Sequence, residues 1–261
     1  MNIILYYLKL LIPVKIFVWI SIFRRNKRDE ISVLFKFLKN TISGVMVDVG
    51  AQKGSSFLPF YSKNWEVHAF EPDNSNFKFL IKYKNFWNLN FKLNKVALSN
   101  KKENLKFFTS ENSKGIPSLL NFSDNHVFSH ELTTQTLNSY MLENKFKRNN
   151  EFLKIDTEGY DYFVLKGLDM KKFRFKIILC EFENKKSKLL KYTTKDMSQY
   201  LIKNGYYLIF SVWNPISEYG SKHSWRCYSL TYKDINENSW GNIFCFNDLN
   251  TYQLFKDYLK I

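Results

Sequence analysis

The feature of this sequence that most limits its fold is an alternation of short apolar runs with polar stretches. The β-branched run Val45–Val49 ends at Gly50, and comparable runs cover Glu66–Phe70 and Phe91–Val96. Stretches that predict helices stand before and between them, at 30–40, 55–63 and 74–84. Because parallel strands need crossover connections, this α-β-α-β-α-β order predicts a doubly wound parallel sheet with helices on both faces.

The pattern returns after a less regular middle. Asn104–Thr109 predicts an additional strand, residues 115–118 a loop, and Thr133–Glu143 a strand-to-helix transition. Further strands are predicted at 152–155, 176–180, 206–212 and 243–246, and further helices at 160–168, 194–203 and before Ile261. We therefore predict an α/β fold with a seven-stranded, mostly parallel sheet and a C-terminal antiparallel strand.

The chain is expected to consist of a hydrophobic and basic segment, 1–30, and a domain, 31–261. Ile3–Phe23 contains fourteen Ile, Leu, Val or Phe residues and precedes the basic run Arg24–Arg28. The fourteen apolar residues favour membrane insertion by about 7 kcal/mol, and inserting Lys9 and Lys15 costs about 5 kcal/mol, which largely offsets this gain. A transmembrane helix is therefore not predicted. A helix lying on the inner leaflet and a packed soluble helix both stay open, and a cytoplasmic location is expected.

Charge and cysteine content narrow the classes of partner. The formal charge of +15 would suit nucleic acid, but only six of the 39 basic residues are arginines, the residue that reads phosphates and bases in pairs of hydrogen bonds. Dispersed, solvated lysines are the favoured interpretation. Three widely spaced cysteines exclude a disulfide framework and lack zinc-binding spacing, which indicates a reducing compartment.

A glycine-containing turn follows the first predicted strand. Asp48–Gly54 has the spacing G-x-x-x-G, which differs from the G-x-G-x-x-G of dinucleotide enzymes. Glu71 ends the second strand about twenty residues later, where a carboxylate can accept hydrogen bonds from both ribose hydroxyls. Taken singly, the glycines could form an ordinary structural turn and Glu71 could be an ordinary surface acid. Together, in this order and at this spacing, they predict an adenosine ligand.

A second candidate site follows the fourth sheet strand. The apolar run that begins at Phe152 delivers Asp156 and Glu158 to its carboxyl end, where open α/β sheets bind ligands. The alternative is an ordinary helix cap made by Asp156 or Thr157. We predict that Gly54, Glu71 and Asp156 converge on one adenosine-shaped hollow.

The stretch from Val45 to Glu183 resembles the FkbM-type methyltransferase family. The matching motifs are D-V-G-A-x-x-G at 48–54, A-F-E-P at 69–72, V-A-L-S at 96–99, K-I-D-x-E-G at 154–159, V-L-K-G at 164–167 and I-I-L-C-E-F at 177–182. The resemblance implies a Rossmann-like methyltransferase fold, S-adenosylmethionine as cofactor, and O-methylation of sugars or other secondary metabolites. Gln52 stands where the family usually has Asn, and Thr157 where it usually has Val.

The resemblance also implies roles for individual residues. The expected cofactor-binding set is Asp48, Gly50, Ala51, Gly54, Glu71, Ala97, Leu98 and Asp156. Asp156 and Glu158 are candidates for the catalytic base, with His223 as a further candidate. No metal site is predicted, although carboxylate-bound magnesium stays open.

The C-terminal third carries the expected acceptor site. Trp213, Trp225 and Trp240 could stack on pyranose C–H groups. Arg226 could bind a phosphate or carboxylate. The alternative is that these tryptophans belong to the core. The leading hypothesis is an O-methyltransferase that acts on a saccharide or glycolipid in surface-polysaccharide biosynthesis. An RNA methyltransferase and a catalytically silent cofactor-binding or membrane-scaffold protein are the alternatives.

Overall fold

The computed structural model describes residues 9–23, 28–41, 43–110, 117–216 and 223–261. Residues 1–8 and 24–27 of the predicted N-terminal segment and residues 115–116 of the predicted loop lie outside these ranges. The described chain contains two compact units, 1–96 and 97–261. The predicted boundary at residue 30 stays a prediction.

The first unit contains a parallel sheet. Its elements are α1 (Val14–Phe23), α2 (Glu30–Phe37), β1 (Val45–Val49), α3 (Leu58–Tyr61), β2 (Glu66–Phe70), α4 (Asn74–Phe86) and β3 (Lys92–Asn94). Strand β2 lies between β1 and β3, and both pairings are parallel, as predicted. Asp73 begins α4 by accepting hydrogen bonds from the backbone N–H groups of Ser75 and Asn76. Helix α3 is shorter than predicted, because residues 55–57 continue the turns after Gly54.

The second unit contains a mixed sheet and a separate hairpin. Its elements are β4 (Asn104–Ser110), β5 (His126–Thr133), α5 (Leu137–Glu143), β6 (Asn149–Ile155), α6 (Asp161–Lys166), β7 (Arg174–Glu183), α7 (Asn184–Leu189), α8 (Thr194–Lys203), β8 (Tyr207–Trp213), β9 (Trp225–Ser229), β10 (Trp240–Phe246) and α9 (Leu249–Leu259). The strand order is β6-β7-β10-β8-β9, and β4 pairs with β5. Strand β7 is parallel to β6 and antiparallel to β10.

Three elements of this unit were not predicted from the sequence. Most side chains of β5 are exposed, so it lacks the apolar alternation that predicts a strand. Strand β9 adds one sheet strand to the predicted seven within the described ranges, and it too has mainly half-exposed side chains. The short helix α7 has a polar sequence and depends on its packing against β7.

Candidate active site

The turn after β1 is held against the end of β2. The backbone N–H groups of Gly50 and Ala51 both donate to the carbonyl of Phe70, each over 3.0 Å. Gly50, Gln52 and Gly54 have φ angles of 82°, 46° and 86°. These left-handed conformations suit glycine and disfavour glutamine, which gives a physical reason why Asn is usual at position 52.

Glu71 connects this turn to the start of α4. Its residue is only 4% exposed, and its two carboxylate oxygens accept hydrogen bonds from the backbone N–H groups of Gln52 (2.6 Å) and Asp73 (2.8 Å). Glu71 is thus a rigidly held acceptor at the carboxyl end of β2, which fits the predicted bonds to ribose hydroxyls.

Asp48, in the strand that precedes the turn, stabilises the same turn. It is fully buried at the end of β1, and its Oδ2 accepts a hydrogen bond from the hydroxyl of Ser56. A Cβ atom at Gly54 would lie 3.0 Å from the Leu58 side chain, so the turn also packs closely there. The structure therefore gives Asp48 a role in fixing the turn, while its contact with a cofactor ammonium stays a prediction.

Ala97 and Leu98 lie at the start of the second unit. The Ala97 carbonyl accepts a hydrogen bond from the Gln135 N–H over 3.1 Å, and both predicted adenine-binding residues have buried side chains. A Cβ atom at Gly167 would come within 2.2 Å of the Ser99 carbonyl oxygen. This close approach explains the glycine of the V-L-K-G motif.

The loop between β6 and α6 has an unusual backbone. Glu158 has a φ of 57° and Gly159 a φ of 107°. The Ser118 hydroxyl donates to the Glu158 carbonyl (3.1 Å), and the Tyr192 hydroxyl donates to the Gly159 carbonyl (2.6 Å). A left-handed glutamate persists only where surrounding contacts hold it, and such positions concentrate at functional sites.

Asp161 ties this loop to β7. Its Oδ2 accepts from the backbone N–H and the hydroxyl of Thr157, and its Oδ1 accepts from the Glu181 N–H over 3.1 Å. Tyr160 is the N-cap residue of α6 and makes no side-chain capping bond. The loop is therefore not the ordinary cap by Asp156 or Thr157 that the sequence left as an alternative.

Glu158 belongs to a buried cluster of charges around Lys186. The Lys186 residue is 1% exposed, and its ammonium group pairs with Glu158, with Glu183 at 2.8 Å and with Glu181 at 3.9 Å. The same nitrogen lies 4.6 Å from the ring centre of Phe122. Lys186, Glu181 and Glu183 were not predicted as site residues from the sequence. The two glutamates at the end of β7 were the only signal in the sequence for this cluster.

Burial changes the proton affinity of this cluster. Burial, with the nearby charges of Asp156 and Glu183, raises the pKa of Glu158 to about 7 despite the opposing effect of Lys186. Burial likewise raises the pKa of Asp161 to about 6 and that of Glu181 well above its ordinary value. Glu158 can therefore exchange a proton near neutral pH.

Asp156, the other candidate base, has a different environment. Its side chain is about a third exposed, and its Oδ2 lies 3.3 Å from the ammonium of Lys154. Of the two acids, Glu158 is the one whose surroundings resemble those of a general base.

An aromatic group lies at the same edge of the second unit's sheet. Trp240 is paired with Glu183 on one side and with Trp213 on the other. Directly paired residues point to the same face of a sheet. The indole rings and the Glu183 carboxylate therefore lie on one face of this sheet, at the same edge. The Trp213 and Trp240 ring centres are 5.6 Å apart, and His223 packs edge-on against Trp240 at 4.9 Å.

The predicted acceptor-binding residues have different environments. Trp213 is 7% exposed and serves mainly as packing, whereas Trp225 is half-buried and donates from Nε1 to the Ser211 hydroxyl over 3.2 Å. Arg226 is the bulged residue between the paired positions Trp225 and Cys227, and it is exposed. Trp240, the third predicted tryptophan, is half-buried.

The described residues thus form two groups of predicted site residues, one in each unit. The first unit brings together Asp48, Gly50, Ala51, Gly54 and Glu71, and the second contains Ala97, Leu98, Asp156, Glu158, Trp213, His223, Trp225 and Arg226. The predicted convergence of Gly54, Glu71 and Asp156 joins residues of both units and stays a prediction. Among the described residues, no group of three or more His, Cys, Asp or Glu side chains is arranged to hold a metal ion.

Parallel strands followed by helices, a glycine turn after β1 and an acid at the end of β2 are the features of a Rossmann-like methyltransferase. The family model of the methyltransferase FkbM domain matches residues 48–208, more than half of the 261-residue chain. The chain belongs to this family. No curated protein sequence matches it.

Solved structures of methyltransferases are similar in fold. Precorrin-6y C5,15-methyltransferase from Geobacter metallireducens GS-15 is 12% identical, with 85% of this chain and 90% of that chain covered and a TM-score of 0.43. Magnesium protoporphyrin IX methyltransferase from Synechocystis PCC 6803, solved with bound SAM, is 8% identical, with 95% and 92% covered and a TM-score of 0.45. Such similarities do not extend to the chemistry of the site.

The family assignment makes the protein an S-adenosylmethionine-dependent methyltransferase. The first unit fits this cofactor, because Glu71 is a buried carboxylate held by backbone N–H groups beside a tight glycine turn. Glu71 would hold the ribose, and the turn from Gly50 to Gly54 would lie along the methionine part. When bound, the cofactor supplies an electrophilic methyl group.

Proposed function

We propose that the protein is an O-methyltransferase that modifies a hydroxyl group of a saccharide or glycolipid in surface-polysaccharide biosynthesis. The observation that carries this proposal is Glu158, a buried carboxyl group whose pKa is raised to about 7. A hydroxyl must lose its proton when its oxygen is methylated. A carboxylate with a pKa near the working pH is well suited to accept that proton.

The residues around Glu158 support its role as base. Lys186 pairs with the carboxylate, and the Ser118 hydroxyl holds the backbone carbonyl of the same residue. These contacts limit the motion of Glu158, so it has little conformational freedom to lose when the reaction occurs. Positioning of this kind is the main contribution an enzyme can make to a displacement at an already activated methyl group.

The aromatic edge of the second unit supports a saccharide acceptor. Trp240 and His223 are half-buried. Trp240 lies on β10 beside Glu183, and His223 packs against Trp240. Aromatic faces pack well against the C–H faces of pyranose rings. The exposed guanidinium of Arg226 suits a phosphate or carboxylate group on the same acceptor.

The test is a methyl-transfer assay with labelled S-adenosylmethionine. Purified protein is incubated with a glycolipid extract, sugar phosphates, bulk RNA and primary amines in separate reactions. We expect label in the glycolipid or sugar fraction as a methyl ether that survives mild alkali. Label released by alkali would indicate a carboxyl ester, and label in RNA or amines would indicate another acceptor. Either result would overturn the proposal.

A further inference from the structure

We propose that the segment from Leu11 to Trp19 is a membrane-docking surface for anionic lipid headgroups. It would hold the protein at a bilayer surface without crossing it. This inference does not rest on the acceptor or reaction proposed above. It rests on three properties of the first unit: a firmly attached helix, an exposed apolar face on it, and a local charge of one sign.

The segment is attached to the unit from one side. The Tyr83 hydroxyl donates to the Ile12 carbonyl and the Trp87 Nε1–H donates to the Leu10 carbonyl, each over 2.9 Å. The ring of Phe17 packs against Tyr83 with centres 5.8 Å apart. The bonds from Tyr83 of α4 and from Trp87, the C-cap residue of that helix, therefore fix which face of the segment points outward.

The outward face is apolar. Leu11, Ile16 and Trp19 are 56%, 51% and 54% exposed, and Lys15 is exposed among them. Large exposed side chains normally occur singly, whereas here an aliphatic pair and an indole share one short segment. Indole, leucine and lysine side chains in this mixture are typical of helices that lie in the membrane interface.

The charge of the segment indicates which surface it meets. The first 28 residues include six basic residues and no acidic one, the first acid being Asp29. Lys15 and Arg28 are exposed within the described part of this stretch. Anionic headgroups attract such a cluster over about a Debye length, while the apolar side chains enter the acyl boundary. A second protein copy would bring a like charge to the same face and is disfavoured for that reason.

The described helix of this segment is short for a membrane span. Within the described ranges, no helix combines the length and the apolar character needed to span a bilayer. Pro13 precedes α1 (Val14–Phe23), which has ten residues, about half of the roughly 20 that a spanning helix needs. Docking in the plane of the surface is the geometry that this short helix permits.

The experiment is co-sedimentation of the full-length protein with vesicles. Vesicles of phosphatidylcholine alone are compared with mixed phosphatidylcholine and phosphatidylglycerol vesicles at low and high salt. We expect binding to the anionic vesicles that weakens with salt. The double variant Ile16→Ser/Trp19→Ser should bind at least about tenfold more weakly, because it removes two side chains that enter the apolar boundary. Lys15→Glu should weaken binding to the anionic vesicles only.

The matched control is the double variant Leu249→Ser/Leu254→Ser on α9. These leucines are 57% and 53% exposed, as exposed as the test pair, but lie in the second unit. The control should bind vesicles like the unmodified protein, and both variants should keep its melting temperature. Equal binding of the test and control variants would overturn the proposal. So would concentration-dependent dimerisation in light scattering that only the test variant abolishes.

Discussion

The ammonium group of Lys186 lies 2.8 Å from the carboxylate of Glu183 and also pairs with Glu158, so one buried cation joins β7, α7 and the loop after β6. Removing one partner of a buried charge group is costly, because the remaining charges stay in a poorly solvated place. The same carboxylates can escape that cost by taking up protons. The cluster therefore predicts a strong dependence of variant stability on pH.

Lys186→Met should be destabilised by roughly 3 kcal/mol or more at pH 8 and by clearly less at pH 5. The pKa of Glu158 is about 7 in the folded protein and 4.5 without its surroundings, so the folded state binds more protons between these values. Stability from this group is thus lost as the pH rises through that window. Urea unfolding at both pH values measures the difference.

Lys188→Met is the matched control for that variant. Lys188 lies on the same helix and pairs with Glu237 at 2.8 Å, but both side chains are exposed. Exposed ion pairs contribute little to stability because water screens them, so little change is expected at either pH. An equal loss in the two variants would show that Lys186 has no special role.

Glu158→Gln should abolish the pH dependence of methyl transfer near neutrality. In the unmodified enzyme, kcat/KM should rise through about pH 7, because the ionised carboxylate is the form that accepts a proton. The amide cannot accept it, so activity should fall by about 10²-fold or more and stay flat. The control is Glu151→Gln, which changes an acid that forms a long ion pair with Lys176. An unaltered pH profile in Glu158→Gln would remove Glu158 as the base.

Glu71→Ala should weaken S-adenosylmethionine binding by at least about tenfold, since a hydrogen bond to a charged acceptor contributes roughly 1.5–3 kcal/mol. Isothermal titration calorimetry measures the affinity. Glu66→Ala at the start of β2 serves as control, because that glutamate is exposed and pairs with Lys92. Equal affinities for Glu71→Ala and the unmodified protein would place Glu71 outside the cofactor site.

Gly241→Ala should unfold the aromatic edge. Its Cβ atom would lie 1.9 Å from the Ser211 carbonyl oxygen, and the glycine φ is 153°. Gly205→Ala is the comparison, since its φ of 80° is also unfavourable but its nearest contact is the Arg174 guanidinium at 3.5 Å. We expect a loss of about 1–2 kcal/mol for Gly205→Ala from backbone strain alone and a larger loss for Gly241→Ala. Thermal unfolding of both variants checks the order.

Much of the local structure followed from residue patterns. Strands β1 and β2 have the predicted bounds and α8 the predicted residues, because each couples an apolar period with a clear start or stop signal such as Gly50 or the Thr193 cap. Strand β9 was missed because its side chains alternate too weakly between buried and exposed positions.

The sequence by itself determined the class of fold, through its alternation of strands and helices. It also placed the glycine turn, Glu71, Asp156 and Glu158 at strand ends, while the roles of these residues stay predictions. Only the tertiary structure decided that Lys186, 28 positions after Glu158, is its buried partner, and that Trp240 is paired beside Glu183. Such contacts depend on strand register and on burial. Both arise when distant segments pack together, and neither leaves a periodic trace in the chain.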